Sequence, residues 1–139
     1  MNGLSASTGY RRLLSPRRPS PEEINRFVNF DRQRELALIA TTLVQDRELQ
    51  IGVARYVKES TSGDAEFAIV LGDAWQGRGV GTKLLASLLV AAKADGVRRL
   101  FGMAQSENIG MLALGRKLGF KHARDPRSAT ITNLTIDLA

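Results

Sequence analysis

The chain is predicted to fold as one α/β domain, a mixed and mostly antiparallel sheet with a single parallel strand–helix–strand crossover. Three observations predict this. Residues 65–71, from Ala65 through Phe67, Ile69 and Val70 to Leu71, are a short, mostly apolar run bounded by Gly72-Asp73, the mark of a buried strand. Gln76-Gly77-Arg78-Gly79-Val80-Gly81 follows, a loop with glycine at alternate positions. From Val80 onward, apolar residues recur at Gly81, Leu84, Leu85, Leu88, Leu89 and Ala92, the three-and-four spacing of an amphipathic helix.

The remaining elements fall around that unit. Residues 1–18 are basic, carry Pro and Ser and lack apolar periodicity, so they read as a loosely ordered segment ahead of a domain over 19–139. Ser20-Pro21-Glu22-Glu23 has the form of a helix start, with a Ser cap, a first-turn Pro and Glu three residues after the cap. It predicts a helix to about Asn29 that buries Ile24, Phe27 and Val28. A strand is predicted over 35–44, paired with 49–58 across the polar turn 45–48. Asp95-Gly96 stops the long helix, and 97–104 makes the parallel strand. A helix over 107–118 turns Met111, Leu112, Leu114 and Leu118 inward and stops at Gly119. Strands over 120–124 and 130–138 close the sheet, and Met103 and Met111 read as core residues.

Composition narrows the chemistry. With 139 residues the chain suits one domain with a single core. It has no cysteine and one histidine, His122, so a thiolate nucleophile, a Cys-based metal site and a Ser-His relay are poorly supported and no metal is expected. No apolar run reaches membrane-spanning length and no signal-peptide layout is present, so a cytoplasmic protein without a membrane partner is expected. The net charge of +6 suits a polyanionic ligand. Arg11, Arg12, Arg17 and Arg18 raise nucleic acid as a competitor, but no recognition-helix or RNA-binding signature accompanies them. A solvated basic tail is the favoured reading.

A strand, a glycine loop and a helix in that order suit a phosphate-bearing ligand. First-turn N–H groups lack intrahelical partners, the helix dipole adds positive potential, and glycines let an anionic oxygen come close. A diphosphate is therefore expected over 77–82, at Gly77, Arg78, Gly79, Val80, Gly81 and Thr82. A P-loop fails, because the order is Gly81-Thr82-Lys83 and the lysine is displaced along the helix. A dinucleotide fingerprint fits Gly77 and Gly79 but would place its third glycine at Thr82; that reading stays open.

Gln76-Gly77-Arg78-Gly79-Val80-Gly81 also meets a third pattern, Gln/Arg-x-x-Gly-x-Gly/Ala, and here the sequence resembles the GNAT N-acetyltransferase superfamily. Asn108, followed by Met111 and the ending Leu118-Gly119-Phe120, looks like a second signature of that family. More narrowly, Asp31 to Ala40, Ala65-Glu66-Phe67-Ala68 and 73–79 resemble the acetyltransferase domain of bacterial protein-lysine acetyltransferases. The resemblance spans roughly residues 10–138. It implies the GNAT fold, shortened at its N-terminus, because the family's first strand and helix have no counterpart before residue 10. An unfilled sheet edge would favour a homodimer.

The resemblance also implies roles. Acetyl-CoA would be the co-substrate and a primary amine, on a protein lysine, the acceptor, attacking directly in a ternary complex. Small amines or polyamines are the near alternative, and a catalytically weak coenzyme-binding regulatory module is the competitor from another class. Glu66, the one acid amid apolar strand residues, would be the general base if burial raised its pKa; the residues alone equally allow a solvent-facing side chain or a partner of Arg55. A backbone N–H around Ile69, Val70 and Leu71 would polarise the thioester carbonyl. Asn108 would contact the pantetheine arm, or alternatively satisfy local helix backbone. Gln76 could stabilise the loop, Trp75 packs beside it, and His122 reads as structural. Many relatives place a tyrosine acid where this chain has Gly115; a thiol of pKa about 8.5 leaves tolerably without one.

Overall fold

The computed structural model describes residues 11–12, 22–27, 34–59 and 61–139. Its strands are β1 (Arg11–Arg12), β2 (Glu22–Phe27), β3 (Glu35–Val44), β4 (Arg47–Lys58), β5 (Asp64–Leu71), β6 (Arg99–Gln105), β7 (Lys121–Asp125) and β8 (Ser128–Asp137). They form one sheet in the order β1-β2-β3-β4-β5-β6-β8-β7. Helix α1 (Val80–Ala94) crosses between β5 and β6, and α2 (Ile109–Lys117) lies between β6 and β7. Among the described strands only β5 and β6 run parallel, so the sheet is mixed and mostly antiparallel, as the sequence predicts.

The N-terminal part differs from expectation. Glu22–Phe27 is a strand paired antiparallel with β3, from Glu22↔Thr42 to Phe27↔Ala37. The helix predicted there is overturned; its Ser20, Pro21, Val28 and Asn29 lie outside the described residues. A local capping pattern contributes about 1 kcal/mol, whereas pairing satisfies a row of β3 backbone groups at once. β2 fills the β3 edge from within the chain, and β1 pairs outside it at Arg11↔Arg26 and Arg12↔Asn25, so the missing strand that favoured a homodimer is supplied by this chain itself.

The β3–β4 turn is tighter than predicted. Gln45 and Asp46 alone make it, both at positive φ (51° and 65°), and Val44 pairs with Arg47. This is the two-residue hairpin geometry that matches strand twist.

The core lies between the sheet and its helices. Ala54, Tyr56, Ala65, Phe67 and Leu134 from the strands meet Leu84, Leu85, Leu88 and Ala92 of α1. The period-3.6 stripe of α1 is thus buried as predicted, with Leu89 partly covered. On β5 the alternate residues Glu66, Ala68 and Val70 are exposed on the other face. Met103 of β6, expected in the core, is 61% exposed, a correction that follows from strand alternation with the buried Gly102 and Leu100. The C-terminal end of α1 is tied down by Asp95, which accepts 2.6 Å from the Tyr56 hydroxyl and pairs at 3.0 Å with Lys58 Nζ.

Two features of β5 position the site. Parallel pairing with β6 is confined to Asp64↔Arg99, Ala65↔Leu100 and Glu66↔Phe101. Beyond that fork β5 continues with β4 to Leu71↔Gly52, and β6 with β8 to Gln105↔Ile131.

Candidate active site

A cleft of about 340 Å³ opens past the fork, between the end of β5, the glycine turn, the start of α1 and the flank of α2. Ile69 and Leu71 of β5 line it, with Gln76, Gly77, Gly79, Gly81 and Thr82 from the turn and first helical turn. Asn108, Gly110, Met111, Ala113, Leu114 and Lys117 form the opposite wall.

The glycine turn has the conformation its composition suggests. Gly77 (φ 75°) and Gly79 (φ 86°) are both left-handed, a region costly for residues with a Cβ. Gly79 is the N-cap of α1 and offers no side-chain cap, so the first-turn N–H groups of Val80, Gly81 and Thr82 have no capping side chain. Gly81 answers a different need. A Cβ there would lie 3.3 Å from Leu114 Cδ2 and 3.7 Å from Leu71 Cδ2, because α1, α2 and β5 converge at this point.

Gln76 holds the turn: its Nε2 donates to the Leu71 carbonyl at 3.3 Å and to Asp73 Oδ1 at 3.4 Å. Asn108 is the N-cap of α2, where Oδ1 accepts from the Met111 N–H at 3.0 Å. That leaves its amide NH₂ as the polar group available to a ligand in the cleft.

Eight of the predicted binding residues therefore share one cleft: Ile69, Leu71, Gln76, Gly77, Gly79, Gly81, Thr82 and Asn108. Three do not line it. The Val70 side chain is 70% exposed on the far face of β5, and Val80 is buried in the core. Arg78 stacks over the Trp75 ring, 4.4 Å from its centroid, instead of facing the cleft. Their backbone groups remain part of the strand and turn. Sequence reasoning missed Gly110, Ala113 and Lys117. Their spacing of three and four puts them on one face of α2, but only the approach of that face to the glycine turn gives them a role.

Glu66 stands at the fork, on the last paired position, but on the sheet face opposite the cleft. It is exposed, so the burial expected of a general base at this position is not present. Arg55 is also exposed, and among the described residues it makes no ion pair with Glu66.

Beneath α2, Gly115 is buried, and a Cβ there would lie 3.3 Å from His122 Nε2. Both His122 ring nitrogens are buried without a hydrogen-bond partner, although the residue as a whole is partly exposed. Desolvation lowers the imidazole pKa, and the charge of Arg116 pushes the same way. Among the described residues, no group of three or more His, Cys, Asp or Glu could hold a metal, and no helix is long and apolar enough to cross a membrane.

The fork between parallel strands beside a glycine-turned helix start marks an α/β domain whose cleft opens at the end of its one parallel strand pair. The model of the acetyltransferase (GNAT) domain family matches residues 4–121, and the chain belongs to that family. Acetyltransferase PA5475 of Pseudomonas aeruginosa is 30% identical over 132 residues, covering 94% of this chain and 70% of that protein. Acetyltransferase Pat of Mycolicibacterium smegmatis is 29% identical over 133 residues; these are 95% of this chain but only 39% of Pat. Among solved structures, the GNAT domain of S. lividans PAT superposes with a TM-score of 0.67 at 25% identity, over 79% of this chain and 64% of that one.

Proposed function

We propose that the chain is an acetyl-CoA-dependent N-acetyltransferase that acts on a primary amine, on a protein lysine, by direct transfer. The observation that carries this is the fork. The cleft lies on the helix face, Glu66 lies on the opposite face at the last paired position, and beyond it β5 and β6 no longer pair with each other. Donor and acceptor can approach from opposite faces without competing for space.

Each group then has a task. The N–H groups of the glycine turn and the first turn of α1 suit the coenzyme diphosphate. Asn108 would hold the pantetheine arm with its free amide NH₂. The strand backbone freed past Glu66 supplies N–H donors for the thioester carbonyl around Ile69 and Leu71. Glu66, directly or through water, would take the ammonium proton so that the amine lone pair can attack the carbonyl carbon. The C–N bond forms, the C–S bond breaks, the nitrogen gives up its second proton to solvent, and the thiolate leaves and is protonated by solvent. The structure of yncA from Salmonella typhimurium, a fold neighbour at 23% identity, was solved with its cofactor acetyl-CoA, which supports this choice of donor.

The protein-lysine acceptor rests on likeness to Pat and PAT, of which the chain covers only a part. One observation favours a second reading, a coenzyme-binding module with weak turnover: Glu66 is exposed on the face opposite the cleft. Incubating the protein with acetyl-CoA and either lysine-containing proteins or polyamines, with mass-spectrometric detection, separates the cases. An enzyme acting on lysine acetylates the proteins, and Glu66→Gln cuts turnover while coenzyme affinity holds. Unchanged activity in Glu66→Gln removes the base role, and acetylation confined to polyamines removes the lysine acceptor.

A further inference from the structure

We infer that Lys117 recognises a second phosphate on the coenzyme, the ribose 3′-phosphate, so that the cleft selects CoA over its 3′-dephospho form. The inference rests on reading the cleft as the coenzyme site. Among the described residues lining the cleft, Lys117 is the one cation, and no carboxylate lines it. The neighbouring cations are otherwise placed: Arg78 is stacked over Trp75, and Lys83 is exposed on α1 outside the lining. Lys117 has no ion-pair partner among the described residues.

Its place in the fold separates it from the diphosphate donors. Those lie on the α1 wall, at Gly79 to Thr82. Lys117 lies on the α2 wall, at the end of the stripe Gly110, Ala113, Leu114 and Lys117. At about 1.5 Å of rise per residue, that stripe runs roughly 10 Å along the helix. A ligand with a diphosphate and a separate monophosphate has one anion for each wall. The competing explanation is that Lys117, in the last turn of α2 with Arg116, merely complements the helix dipole. That role is indifferent to the ligand and predicts no discrimination.

Calorimetric titration of wild type, Lys117→Gln and Lys117→Arg with CoA and with 3′-dephospho-CoA decides between them. The residue is exposed, so a contact of surface strength is expected: wild type binds CoA about twofold to fivefold more tightly than dephospho-CoA, less so at high salt. Lys117→Gln should erase that ratio by weakening CoA alone, and Lys117→Arg should keep it. Equal affinity of wild type for both ligands overturns the assignment. So does equal weakening of both in Lys117→Gln, which would put the lysine on a part they share. Failure of folded wild type to bind either ligand overturns the coenzyme reading itself, and the proposal with it.

Discussion

Gly102→Ala probes the fork more sharply than any change within the cleft. Gly102 is on β6, one residue beyond the last parallel pair, and is not among the glycines at positive φ. Alanine there is free of backbone strain, and on propensity alone it would stabilise the strand slightly. The space argues the opposite. A Cβ would lie 2.6 Å from Phe67 Cε1, 2.9 Å from Cδ1 and 2.9 Å from the Phe67 carbonyl oxygen. Carbon atoms pack best at about 3.5–4.0 Å, so the Phe67 ring must retreat by roughly 1 Å. It has little freedom to do so, being 5% exposed and packed on Phe120 at 5.2 Å between ring centroids. The carbonyl cannot rotate away as a side chain can, so β5 must shift with it.

Overpacking of this kind costs about 1–3 kcal/mol. For a domain of this size that corresponds to a fall in Tm of roughly 4–12 °C. Urea unfolding and a thermal scan measure both quantities. Phe67→Leu in the same chain should recover part of the loss, giving a double mutant less destabilised than the sum of the singles. Gly102→Ala with wild-type stability or better would refute the argument that Phe67 is held against β6 at the fork.

Tyr56→Phe should lower stability by about 1–2 kcal/mol, since it removes a 2.6 Å hydrogen bond to a carboxylate from a fully buried ring; an unchanged urea midpoint would show that Asp95 does not anchor α1 through it. His122→Phe should stabilise by about 1 kcal/mol at neutral pH, because it replaces buried, unpartnered nitrogens with apolar atoms. Its advantage should grow in acid. With the folded pKa of His122 lowered from 6.5, the unfolded chain protonates first, so wild-type stability begins to fall as pH drops through 6.5 and the loss levels off below the folded pKa. Urea midpoints for both proteins at pH 7.5, 6.5 and 5.5 check this, and a constant difference would contradict it.

What could be read from the sequence was local. The glycine turn, the α1 stripe and the Asp95-Gly96 stop are encoded within a few residues, and Gly96 takes the expected positive φ of 84°. The capping of α2 by Asn108 was legible too, and the same residue lines the cleft. The misses needed tertiary information. Glu22 and Glu23 carry a helix-start pattern, but whether they form helix or strand depends on an edge of β3 far along the chain. The exposure of Glu66 and Met103 depends on which sheet face the helices cover. Gly110, Ala113 and Lys117 acquire a role only because α2 lies across from the glycine turn. Arg78 looked like a phosphate ligand by proximity, yet Trp75, three residues earlier, holds it.

The central claim is that one cleft, walled by the start of α1 and the flank of α2, holds the coenzyme. Titrating the ¹⁵N-labelled protein with acetyl-CoA and following backbone amide shifts tests it residue by residue. The account predicts the largest changes at Gly77 to Lys83 and at Asn108 to Lys117, with little at the β3–β4 turn. Saturable shifts centred elsewhere, or a folded protein whose spectrum does not change, would contradict it.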